Sequence, residues 1–195
     1  MKKIQDHYFK EARKKGYVAR SAFKLEEMDR KFRLFRKGHH VLDLGCAPGS
    51  WLQYAAKRVL PEGSLIGVDL KPVKIQFPGR VRIFQQDINR MEETILASCS
   101  FDLLLSDMAP DTTGIPSVDS QRSYDLNYKA LQLAQRHLKP GGTMILKAFQ
   151  GEPLNQLKSQ VRDRFKSFKL FKPRSSRSES VEIFLLGFEM LPCLE

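Results

Sequence analysis

The run His40-Val41-Leu42-Asp43-Leu44-Gly45-Cys46-Ala47-Pro48-Gly49-Ser50-Trp51 narrows the folds open to this chain more than any other stretch. Val41 to Leu44 is short and apolar, the signature of a buried strand, and it stops at a glycine. The turn Cys46-Ala47-Pro48-Gly49 leads into an amphipathic segment from Trp51 to Leu60. Strand, glycine-bearing turn and helix in that order form the unit in which a ligand meets backbone at a helix N-terminus. Gly45 and Gly49 lack the Cβ atoms that would obstruct such an approach. The G-x-G-x-x-G spacing of a dinucleotide site is missing, and so is the lysine pattern of a P-loop. Asp43 stands where the strand runs out, so its carboxylate is expected to face the ligand. That placement suits a cation and repels a pyrophosphate.

The same grammar repeats downstream. Ser64 to Asp69 reads as a second strand, Val81 to Gln86 as a third followed by Asp87, and Phe101 to Ser106 as a fourth followed by Asp107. Four successive strands thus end in aspartate, at the edge where open α/β sheets bind ligands. Asp69 follows Gly49 by about 20 residues, the separation at which an acid meets ribose hydroxyls in nucleotide-binding βαβ units. Met108 to Asp119 holds Pro110, Gly114 and Pro116 without periodicity and reads as a loop at that edge. Gln121 to Leu138 is expected to be a helix stopped by Lys139-Pro140-Gly141-Gly142, and Thr143 to Phe149 a fifth strand. A helix over Leu154 to Phe165 and a hairpin of Phe168–Phe171 with Val181–Phe188 complete the chain. The hairpin loop is expected at Arg174 to Ser178. At 195 residues this is expected to be one α/β domain with a mostly parallel, seven-stranded sheet and helices on both faces. A basic extension over 1–38 precedes a core over 39–190.

Charge indicates the partner class. Residues 1–38 carry thirteen Lys or Arg against five acids, a net of +8 in a chain whose total is +11. A second basic run spans Lys158 to Arg177, which is the distribution expected for a polyphosphate partner. Residues 1–15 are expected to be a flexible arm or a frayed helix that orders on RNA. Ser21 can cap a helix carrying Phe23, Leu25 and Met28. No apolar run of about 18 residues marks a membrane span, and no apolar leader marks a signal peptide. Cys46, Cys99 and Cys193 are scattered without C-x-x-C spacing, which suggests a reducing, cytoplasmic setting. The four histidines do not pair with them as metal ligands, so no metal is expected.

Lys147 lies inside the apolar strand Met144 to Phe149, where an ammonium must be paired or must snorkel to solvent. Glu182, between Val181 and Ile183, is either an outward residue in strand alternation or that pairing group. Lys24 reads by itself as surface charge.

Several pieces together resemble the FtsJ family of ribose 2′-O-methyltransferases. They are Gly16-Tyr17 with Ser21 to Leu25, Asp43 to Trp51, Ser106-Asp107-Met108-Ala109-Pro110, Lys139 to Gly142, Leu146 to Gly151 and Lys172 to Arg177. They run in family order over nearly the whole chain. The resemblance implies a class I, Rossmann-like fold that uses S-adenosylmethionine. It implies a catalytic set of Lys24, Asp107, Lys147 and Glu182, and cofactor contacts from Asp43, Gly45, Gly49, Trp51, Asp69, Asp87 and Asp107. It further implies that Asp43 and Asp107 face the cofactor's cationic end, Asp69 its ribose and Asp87 its adenine amine. The substrate implied is a uridine of 23S rRNA in the large ribosomal subunit, in the A-loop, with the enzyme a monomer. A tRNA ribose methyltransferase and a catalytically silent ribosome-assembly factor are the alternatives. Cys46 and Ser50 depart from the family pattern by small, compatible side chains.

Overall fold

The computed structural model describes residues 2–90, 93–96, 99–177 and 179–192; Cys193 and Ser178, the expected end of the hairpin loop, lie outside them. Helices α1 (Lys2–Lys14) and α2 (Ala22–Phe32) precede β1 (His40–Leu44), α3 (Ser50–Val59), β2 (Ser64–Asp69) and β3 (Val81–Gln85). A short α4 (Glu93–Leu96) then leads to β4 (Phe101–Ser106), α5 (Pro116–His137), β5 (Leu138–Phe149), α6 (Pro153–Arg162), β6 (Phe165–Phe171) and β7 (Glu182–Met190).

One sheet runs in the order β3-β2-β1-β4-β5-β7-β6. The first five strands pair in parallel, while β7 is antiparallel to both β5 and β6. Both faces are covered, so the strands are apolar at odd and even positions alike. Val41, Leu65, Leu103, Leu105, Ile145, Phe184 and Leu186 pack with α1, α2 and α3. Their neighbours Leu42, Ile66, Leu104, Met144, Leu146 and Leu185 pack with α5 and α6 on the opposite face. Helices therefore flank the sheet on both sides.

Tertiary contacts refine several local readings. Of the arm and the helix expected at the N-terminus, the helix is present over residues 2–14, with Ala12 buried against the α2–α3 layer. Ser21 makes no capping bond; its hydroxyl meets the Ser50 hydroxyl at 2.7 Å and ties the start of α2 to the start of α3. Helix α5 begins at Pro116, five residues before the expected start, with proline at the first turn, where a missing N–H costs nothing. Asp119 folds the preceding loop back, accepting from the Thr113 and Gly114 amides at 2.7 and 3.1 Å.

Strand β5 starts at Leu138, the expected last residue of the preceding helix, and runs through the Lys139–Gly142 segment expected to be only a stop signal. Leu138 pairs with Phe101, and the register shifts before Leu103 meets Thr143. Asp102 holds this irregular start, taking the Lys139 ammonium at 2.7 Å and the His40 amide at 2.8 Å. Phe165 belongs to β6 and not to α6, because it pairs with Met190 and is buried. It rests against Gly187, where an added Cβ would come within 2.8 Å of the ring. Gly187→Ala should therefore lower stability by about 1–3 kcal/mol through overpacking, read from the urea midpoint.

Candidate active site

Side-chain parity places the expected catalytic residues on one face of the sheet. Lys147 follows Ile145 by two residues and Glu182 precedes Phe184 by two, so both share the face covered by α2. Helix α2 reaches over that face with Lys24, whose ammonium lies 2.5 Å from Glu182 Oε1. Lys147 Nζ lies 2.9 Å from Asp107 Oδ1 and donates to the Asp107 carbonyl at 2.5 Å. Four residues from α2, the end of β4, β5 and β7 thus form two adjacent ion pairs.

These charges are largely withdrawn from water. Side-chain exposure is 9% for Lys147 and 18% for Asp107, and 12% for Lys24 and 13% for Glu182. Burial pushes the Glu182 carboxyl up, but Lys24, the Ser176 hydroxyl and the Lys147 charge prevail and hold it below its ordinary range. Lys147 is also fixed through its backbone. Asn127 on α5, itself buried, donates to the Lys147 carbonyl at 2.9 Å, and Ser123 accepts from the Phe149 amide at 3.1 Å. Neither residue carried a sequence signal beyond a polar position on a helix.

A cavity of about 400 Å³ opens at the carboxyl ends of β1 to β4. It straddles the gap between β1 and β4, where the strand order reverses, the usual ligand site of doubly wound sheets. Gly45, Asp69, Asp87 and Asp107 line it, as do Asn89, Met108, Asp111 and Lys71, which sequence reasoning passed over. Val68, Ile88, Met108, Pro110 and Leu126 supply apolar wall. Asp69 is engaged at both oxygens, by the Ala47 amide at 2.8 Å and the Lys71 amide at 2.8 Å, which fixes the glycine-bearing turn. Gly45, at φ +76, lets the Met108 backbone pass at 3.0 Å from where its Cβ would be.

Three residues of the expected cofactor set are not among those lining this cavity. Trp51 points away from the cavity: it is buried, donates from Nε1 to the Ser21 carbonyl at 2.9 Å and packs on Phe184. Gly49 does not line the cavity either. Its missing Cβ makes room for Val73 and Ile75 of the segment after β2. Asp43 is fully buried on the α2 face, and neither carboxylate oxygen has a hydrogen-bond partner among the described residues.

An aspartate-rich cavity beside a buried carboxyl group that no described residue hydrogen-bonds fits a cationic, nucleoside-like cofactor such as S-adenosylmethionine. Among the described residues no cluster of His, Cys, Asp or Glu could hold a metal. Burial pushes the Asp43 carboxyl well above its ordinary range, and the Asp107 and Asp69 charges add to this. The folded state consequently holds the Asp43 proton more tightly than the unfolded chain does. Its stabilising contribution is full below about pH 4 and is lost as pH rises toward the folded value. Asp43→Asn should flatten that decline and raise the neutral-pH melting temperature of the ligand-free protein, measured by thermal unfolding across pH.

The sequence from residue 17 to 190 matches the FtsJ-like methyltransferase model. The ribosomal RNA large subunit methyltransferase E of Oleidesulfovibrio alaskensis is 42% identical, over 98% of this chain and 96% of that protein. Its namesake from Nitratidesulfovibrio vulgaris is 46% identical over 94% of each. The crystal structure of a Plasmodium falciparum protein assigned as a ribosomal RNA methyltransferase superposes with a TM-score of 0.80 at 30% identity, covering 90% of this chain and 100% of that one. On sequence and on fold alike, the chain belongs to the FtsJ-like methyltransferase family.

Proposed function

We propose that this protein transfers a methyl group from S-adenosylmethionine to the 2′-hydroxyl of a uridine in 23S rRNA of the large ribosomal subunit, in the A-loop. The observation that carries this reading is the pairing of Lys24 with Glu182 and Lys147 with Asp107 beside a cavity that Asp107 also lines. The names of the bacterial relatives support the ribosomal substrate. On this reading the whole chain is one domain and acts as a cytoplasmic monomer; no helix among the described residues is long and apolar enough to cross a membrane.

When bound, S-adenosylmethionine supplies an electrophilic methyl on a cationic sulphur. The chain's task is to hold the hydroxyl in line and to manage its proton. Two ammonium groups and two carboxylates make the catalytic cluster neutral overall, so negative charge growing on the ribose oxygen meets preorganised donors. Lys147, held at both its side chain and its carbonyl, is the most constrained of the four. It acts either as a general base or as a fixed donor that orients the oxygen. These roles separate by pH: a base gives a rate that rises and then levels as the amine deprotonates, whereas an orienting ammonium gives a rate that falls there.

The RNA side of the site is basic and aromatic. A second cavity, of about 570 Å³, is lined by Tyr8, Phe23 and Phe171 and by five basic residues, Arg30, Lys31 and Arg174 among them, against three acids, Glu11, Glu26 and Glu27. Lys15 is less free than its neighbours, since it lies 5.0 Å above the Phe23 ring and 3.5 Å from Glu26. Arg13 and Lys14, in the last turn of α1, are therefore the better residues to reverse. Arg13→Glu with Lys14→Glu should weaken RNA binding and shallow its salt dependence by about one to two log units of affinity per log unit of salt. An unchanged slope would remove α1 from the RNA surface.

Labelled methyl transfer to unmodified large subunits, protein-free 23S rRNA and bulk tRNA tests the reaction directly. Label on a ribose of the large-subunit RNA is expected, with Lys147→Ala abolishing it while S-adenosylmethionine still raises the melting temperature by mass action. Label on tRNA alone would transfer the substrate to the sister branch. Retained turnover in Lys147→Ala would remove that lysine from the chemistry.

A further inference from the structure

The Glu182 carboxylate needs a fixed direction, and Lys24 alone does not supply one. Glu182 is the first residue of β7, at the end where the strand leaves the loop from β6. Its side chain has three rotatable bonds, and a lysine is a flexible partner. A second donor meets it: Ser176 Oγ bonds Glu182 Oε1 at 2.8 Å, on the same oxygen that Lys24 approaches.

Ser176 is itself set by a distant acid. Glu27 stands one helical turn beyond Lys24 on α2, on the same side of the helix. Its carboxylate chelates two consecutive backbone amides of the β6–β7 loop, accepting from Arg174 at 2.7 Å and from Ser175 at 2.9 Å. The following residue, Ser176, closes a turn by donating its amide to the Pro173 carbonyl at 3.1 Å. The contacts form a closed ring: α2 through Glu27 to the loop, the loop through Ser176 to Glu182, and Glu182 back to α2 through Lys24.

We propose that Ser176, anchored by Glu27, is a positioning residue for methyl transfer, its hydroxyl aiming the Glu182 carboxylate at Lys24. The proposal rests on the roles given above to Lys24 and Glu182. It predicts a defect in turnover and not in cofactor affinity, because neither Ser176 nor Glu27 lines the aspartate-rich cavity. It also predicts a pH signature. The charged groups facing Glu182 are Lys24 from α2 and Lys147 from β5, with the Ser176 hydroxyl from the loop; together they outweigh the upward push of burial. Removing the hydroxyl moves Glu182 titration upward, so the acid limb of kcat shifts to higher pH.

The experiment compares Ser176→Ala, Ser176→Thr and Glu27→Gln in the full chain, using large ribosomal subunits and S-adenosylmethionine. The readouts are kcat, KM for RNA, the pH profile, S-adenosylmethionine affinity and melting temperature. Ser176→Ala should lower kcat about tenfold, the factor equivalent to one charge-assisted hydrogen bond. S-adenosylmethionine affinity should stay within about twofold, and Ser176→Thr should restore turnover. Glu27→Gln, which keeps one acceptor oxygen, should give a smaller loss in the same direction. An unchanged kcat in Ser176→Ala, a loss that threonine fails to rescue, or a loss confined to KM for RNA would overturn the proposal. Those outcomes are distinct from failure of the functional reading, in which the unmodified protein labels no ribose and both proposals fall together.

Discussion

Two lysines held away from water by two carboxylates are the constraint on which the rest of this structure turns. A buried ammonium or carboxylate without a partner costs on the order of several kcal/mol, so neither pair survives the loss of one member. Lys147 sits in the centre of the sheet, between β4 and β7, and Lys24 arrives from outside the sheet on α2. The pairing therefore demands that α2 be docked with side-chain precision. That demand explains the density of contacts at its start, where Ser21 meets Ser50 and the Ser21 carbonyl takes the Trp51 indole N–H. Helix α3, which begins at the glycine-bearing turn, and helix α2, which carries Lys24, are fastened to each other by these bonds.

The two faces of the sheet divide the labour. The α2–α3 face carries Lys24, Lys147 and Glu182, while the α5 face supplies support from behind through Asn127 and Ser123. Because β7 runs antiparallel between β5 and β6, its N-terminal residue lies opposite the C-terminal end of β5. Phe149 pairs with Glu182 and Lys147 with Phe184. A parallel β7 would have put Glu182 at the far end of the sheet. The reversal of one strand is thus what lets a residue from late in the chain join a site built at the carboxyl edge.

Carboxylates crowd that edge at an electrostatic cost. Burial raises the proton affinity of Asp43 and the Asp107 and Asp69 charges add to it, while burial first, and then Asp43 and Asp69, push the Cys46 thiol upward. A site that binds a cation can store such unfavourable charge and release it on binding, since the ligand removes the repulsion that the ligand-free fold carries. Asp69 is the exception, already satisfied by two backbone amides of the turn, and its structural duty is to hold Ala47 and Lys71 in place.

Periodicity and strand-end chemistry determined much of this protein from the sequence alone. The apolar runs marked the strands, the aspartates that follow them marked the binding edge, and an ammonium inside an apolar strand marked Lys147 as exceptional. Those signals are local, because burial on both faces and the need to satisfy a charge act on the residues that carry them. The tertiary structure decided what depends on contacts between distant segments. At the end of the glycine-bearing turn, Trp51 is packed against α2 and Gly49 against the segment after β2. Ser21 stands at the start of α2 but turns its hydroxyl to Ser50, and β5 began four residues before the segment expected to stop the preceding helix had ended, because Phe101 offered Leu138 a strand partner. Lys24, Glu27 and Ser176 carried no signal that spacing or charge could single out. Their meaning arises only when α2 and the β6–β7 loop meet, and no property of either segment by itself encodes that meeting.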